Sequence, residues 1–123
     1  MKKIYYNKLI RDKIPEKIKR NGGDYKINKL NQKLFEIELL KKVGEEASGL
    51  LSSKTKEELA SELADIIAVI DEIKKVKHIS SKQILKALKE NFERKGGFNK
   101  RLYLFWSSDT GYKTNEKTIR TKK

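Results

Sequence analysis

The chain has 123 residues, 38% of them charged and 37% hydrophobic, with a formal net charge of +13. That length suits one domain with one core. There is no cysteine and one histidine, His78, which excludes a disulfide framework, a thiolate metal site, a cysteine nucleophile and a multi-histidine metal centre. The opening residues, Met1-Lys2-Lys3-Ile4-Tyr5-Tyr6-Asn7, lack the apolar run of a signal peptide. No apolar segment reaches membrane-spanning length. The expectation is a cytoplasmic protein without membrane attachment.

Charge is spread unevenly: residues 1–33 carry +8, residues 34–73 carry −6 and residues 74–123 carry +11. A protein that only coats nucleic acid needs no acidic centre, so nucleic acid is the less favoured partner. An acidic block between basic flanks suits a cation site with an anion-binding surround.

In chain order, Pro15 predicts a short helix through about Arg20. Asn21-Gly22-Gly23-Asp24 reads as a turn. Tyr25–Ile27 reads as a brief extended piece before a long helix from about Gln32 to Leu51. Ser52-Ser53-Lys54 breaks the pattern, and Thr55 with Glu58 forms a capping box that starts a second long helix near Lys56. That helix runs to about Lys77, and His78-Ile79 is a joint, with His78 a helix-end residue rather than a ligand. Ser80 or Ser81 caps a further helix to about Arg94, which Gly96-Gly97 ends. Phe98–Trp106 is rich in aromatics and reads as core or cover, on the bundle or at a subunit interface. Residues 107–123 read as a basic, mobile tail, leaving 1–106 as the domain.

At 100° per residue with Glu62 at zero, Leu59, Leu63, Ile66, Ile70 and Ile73 fall between about 20° and 100°, one apolar stripe. Glu62 lies between Val69, at about −20°, and Ile73, so it sits inside the edge of that arc; Asp65 follows at about −60°. On the first long helix, Glu46 lies on the shoulder of the arc formed by Leu39, Leu40, Val43 and Ala47. Each long helix therefore carries a carboxylate on the rim of the surface it should bury. Packing them together brings Glu46 toward Glu62 and Asp65, and hard oxygen ligands suit magnesium or manganese. Carboxylates on an amphipathic helix are equally at home on a solvated face or in surface ion pairs.

Four segments in order resemble one family. They are Lys8-Leu9-Ile10-Arg11-Asp12-Lys13-Ile14-Pro15, Glu45-Glu46-Ala47-Ser48-Gly49, Glu62-Leu63-Ala64-Asp65 and Lys95-Gly96-Gly97-Phe98. Over about residues 4–105 the chain resembles the MazG-like all-α nucleoside triphosphate pyrophosphohydrolases, the group that includes phosphoribosyl-ATP pyrophosphohydrolase. The resemblance implies a bundle of antiparallel long helices completed by a homodimer or higher homo-oligomer. It implies Mg2+-dependent (or Mn2+-dependent) hydrolysis of a nucleotide substrate, non-standard nucleotides included, to monophosphate and pyrophosphate. By the same resemblance Glu46, Glu62 and Asp65 are metal ligands, and Glu45 is a ligand or orients water. Lys8, Arg11, Lys13, Arg94 and Lys95 become candidates for phosphate contact. The third glutamate of the family's EExxE motif is Gly49 here. Read as a residue within the helix, this glycine costs about 1 kcal/mol relative to alanine. Glu38 or water is then expected to complete the metal's shell; otherwise the chain is a catalytically impaired member that binds nucleotide or nucleic acid without hydrolysis.

Overall fold

The computed structural model describes residues 2–111. Among them all regular structure is helical: α1 (Ile14–Arg20), α2 (Gln32–Ala47), a 3-10 turn (Leu50–Ser52), α3 (Lys56–Val76) and α4 (Ser81–Lys95), with no strand. The chain divides into two compact units, Met1–Leu88 and Lys89–Lys123, so the boundary falls inside α4. Most of the tail expected over 107–123 lies outside the described residues. No helix of the described residues is long and apolar enough to cross a membrane.

Local chemistry sets the helix ends. The Asn31 side chain accepts from Leu34 N at the start of α2, and the Thr55 hydroxyl accepts from Glu58 N at the start of α3. The Glu58 carboxylate in turn accepts from Lys54 N at 2.7 Å, one residue before the cap, which fixes the chain entering the helix. Ser80, not Ser81, caps α4: its hydroxyl accepts from Gln83 N and its own N–H donates to Gln83 Oε1. His78 ends α3 with φ of 57°, the left-handed conformation of a helix C-terminus, as a helix-end residue would. Gly96 ends α4 at φ of 79°, where a side chain would be strained.

In the first unit α2 packs on α3, and the 3-10 turn packs on α3 as well. The pair is antiparallel. Lys77, at the end of α3, reaches Glu36, near the start of α2, at 2.6 Å, while Glu46, near the end of α2, approaches Glu62 in the early part of α3.

The burial pattern shows which face each helix uses. Among the described residues the buried apolar side chains are Leu39 and Val69. On α3, Glu62, Asp65, Ile66 and Ile73 are half-buried around Val69, while Leu59, Leu63 and Ile70 are exposed. The contact face is thus centred near Glu62 itself, about 60° to 100° away from the outer edge of the apolar stripe. On α2, Phe35, Lys42, Val43 and Glu46 are half-buried around Leu39, while Leu34, Ile37 and Leu40 are exposed. Both helices bury one flank of the apolar surface and leave the other open. The carboxylates expected on the rim lie in the seam.

Candidate metal centre

Glu46 from α2 and Glu62 and Asp65 from α3 are all half-buried, and each offers a carboxylate oxygen within 4.8 Å of the others'. The ExxD spacing makes the α3 pair one-turn neighbours. The antiparallel packing adds Glu46 across the seam. Two like charges at the outer limit of 4.8 Å repel by about 3.5 kcal/mol at an effective dielectric constant near 20. Convergence of three therefore requires a compensating charge.

Two side chains supply it. Lys42, its side chain 12% exposed, lies 3.3 Å from Glu45 Oε2 and 3.5 Å from Glu46 Oε1, and donates to the Leu9 carbonyl at 2.8 Å. The carbonyl accepts a hydrogen bond, and the two carboxylates stand within ion-pair distance of the ammonium group. Arg11 Nη2 donates to Asp65 Oδ1 at 3.1 Å. Glu45 is exposed and faces Lys42 at the margin of the cluster.

The other expected contacts are placed differently. Lys8 lies over the Tyr6 ring, 5.4 Å from its centroid, and Lys13 is the N-cap residue of α1. Arg94 donates to Asn91 Oδ1 at 2.8 Å, and Lys95 is the last residue of α4, both in the second unit. Glu38 pairs with Lys41 at 3.1 Å and is not part of the carboxylate cluster, so it does not substitute for a missing ligand. Phe98, Leu102, Tyr103, Phe105 and Trp106, all in the second unit, are exposed, and the Tyr103 and Phe105 rings meet edge to face with centroids 5.2 Å apart.

Gly49 differs from its sequence reading. α2 ends at Ala47, and Gly49 caps the 3-10 turn at φ −80°, ψ −13°. It is therefore not a helix-interior glycine, and its backbone suits any residue. Its special property is space. A Cβ there would stand 2.9 Å from Glu62 Oε2 and 3.3 Å from Glu62 Cδ. The Glu62 carboxylate occupies the volume a side chain at position 49 would take.

The donor set fits a hard divalent cation. Ligand oxygens around magnesium stand about 3 Å apart in neighbouring positions and about 4 Å apart across the ion, and somewhat further around calcium. Lys42 is the site residue that sequence reasoning passed over; its signal is the i,i+3 and i,i+4 spacing to Glu45 and Glu46. No family model matches the chain, and neither does any curated protein or solved structure.

Proposed function

We propose that the chain is a magnesium- or manganese-dependent nucleoside triphosphate pyrophosphohydrolase of the MazG-like all-α type. One observation carries the reading. Glu46, Glu62 and Asp65, singled out in the sequence as ligands, come from two different helices and offer oxygens within 4.8 Å of one another. A divalent cation at such a site supplies charge neutralisation for phosphate oxygens and lowers the pKa of a bound water. Glu46, Glu62 and Asp65 hold it. Glu45, at the exposed margin, orients the water that attacks the α-phosphorus. Arg11, beside Asp65, and the neighbouring Lys8 and Lys13 attract the phosphates.

The working unit is a homo-oligomer in the cytoplasm, most simply a two-fold dimer, with Phe98–Trp106 near the interface. Its support is the open flank of α2 and α3. Burying Leu39 and Val69 contributes about 3–6 kcal/mol together, a small core for helices of this length. A second copy covering Leu59, Leu63 and Ile70 would enlarge it.

A second reading is favoured by two features of the same site. Gly49 supplies no ligand, and Lys42 already engages Glu45 and Glu46. On that reading the chain binds nucleotide or nucleic acid without hydrolysis. A panel of standard and non-standard triphosphates, with inorganic pyrophosphatase and phosphate detection in Mg2+ or Mn2+, separates the two. Pyrophosphate release lost in Glu62→Gln supports the enzyme. Nucleotide binding without turnover supports the second reading. Neither binding nor turnover removes both.

A further inference from the structure

The segment 7–13 is tied to the carboxylate cluster at two points. Lys42 clasps it from α2 by donating to the Leu9 carbonyl while facing Glu45 and Glu46. Arg11 reaches from the segment to Asp65 on α3. Asn7, at φ of 48°, takes the left-handed conformation an asparagine tolerates and turns the chain into this segment. A turn over 11–14, where Ile14 N donates to Arg11 O at 3.1 Å, fixes its other end against α1. The result is a strap across the two helices that supply the ligands.

The two clasps differ in strength. The Lys42 side chain is nearly enclosed, donates to one carbonyl and pairs with two carboxylates. The Arg11–Asp65 pair is exposed, 64% and 40% at the side chains, and is a single contact. Exposed pairs of this kind contribute little, so a stronger ligand for Asp65 displaces the guanidinium readily. A divalent cation is such a ligand, and Asp65 Oδ1 is the atom Arg11 holds.

We propose that Arg11 is an internal counter-ion that competes with a divalent cation for Asp65, so that metal binding frees Arg11 and loosens the strap while Lys42 keeps it attached. This rests on the metal reading of the cluster. Arg11 is then a positioning residue. It holds the ligand carboxylates together before the cation arrives, and once released it stands beside the metal with an unengaged fork of donors suited to a phosphate.

The test uses the full chain and Mn2+ alone, with free Mn2+ followed by electron paramagnetic resonance and amide hydrogen exchange read over residues 8–13. Arg11→Gln should bind Mn2+ about two- to five-fold more tightly, the range set by losing an exposed ion pair. Arg11→Lys should fall between it and the wild type. Lys8→Gln, which removes an equal charge from a side chain with no carboxylate contact among the described residues, should change affinity less. Exchange over 8–13 should rise with Mn2+ in the wild type and be high and metal-independent in Arg11→Gln. If Glu62→Gln abolishes Mn2+ binding but Arg11→Gln binds it equally or more weakly, the counter-ion proposal is overturned and the metal site stands. If Lys8→Gln tightens binding as much as Arg11→Gln, the effect is general charge and the proposal is again overturned. No Mn2+ binding by the wild type overturns both.

Discussion

Gly49→Ala separates the role of this glycine as space from any role in the backbone. At φ −80°, ψ −13° alanine fits without strain, and losing glycine's freedom in the unfolded chain stabilises by about 0.4–1 kcal/mol. Against that, the new Cβ lies 2.9 Å from Glu62 Oε2. The carboxylate is the far end of a flexible side chain, so it swings away, at about 0.5–1.5 kcal/mol if it leaves its rotamer well. The two effects nearly cancel, and the melting temperature without metal should change little. Metal binding should not be spared. Glu62 turns out of the position where its oxygen meets those of Glu46 and Asp65, and a disturbed ligand environment typically costs about ten- to a hundredfold in affinity. The assay is Mn2+ titration followed by free-ion resonance, with thermal melts at each concentration, since bound metal stabilises by mass action. Gly49→Glu carries the same conflict and adds a carboxylate only by displacing another. Unchanged Mn2+ affinity in Gly49→Ala, with an unchanged melt, would refute the reasoning, because Glu62 would then not need that space.

Other outcomes follow from the same geometry. The Lys77 ammonium bonded to Glu36 holds its carboxyl below the ordinary value of 4.5. The pair's stabilisation is therefore full above that value and fades as the pH falls through the lowered pKa. Melts from pH 7 down to pH 3 should show the wild type above Glu36→Gln at neutral pH and the two converging in acid; a difference that persists in acid contradicts the assignment. Gly44 lies inside α2 with open space where a Cβ would stand, so Gly44→Ala should stabilise by about 1 kcal/mol in denaturant titration, and a loss of stability would mean that another surface closes over it. Light scattering at micromolar concentration should give at least a dimer, with a melting temperature that rises with protein concentration; a monomer with a concentration-independent melt counts against assembly.

The sequence is most legible where the chemistry is local. Thr55 and Glu58, Ser80 and Gly96 mark helix ends that the backbone follows to within a residue or two. The meeting of Glu46 with Glu62 and Asp65 is also visible, because helical periodicity places all three close to the apolar arcs. Periodicity does not say which part of a wide stripe meets the partner helix. α2 and α3 join along the Glu62–Val69 edge and leave Leu59, Leu63 and Ile70 open, a choice made by packing. Gly49 reads as an interior helix residue because no strong stop precedes it, yet α2 closes at Ala47 and a 3-10 turn follows. The contact of Lys42 with the Leu9 carbonyl joins residues 33 positions apart, and no local pattern announces it. The Arg11–Asp65 pair spans 54 positions. The basic segment is visible in the sequence, but not the carboxylate it reaches.

Hydrolysis in 18O-labelled water, with the products resolved by phosphorus NMR, tests the proposed chemistry most directly. A nucleoside triphosphate incubated with the protein and Mg2+ should give monophosphate and pyrophosphate, with the label in the monophosphate because water attacks the α-phosphorus. Glu62→Gln should give neither product. Label in the pyrophosphate, release of orthophosphate with a nucleoside diphosphate, or equal turnover by Glu62→Gln would contradict it.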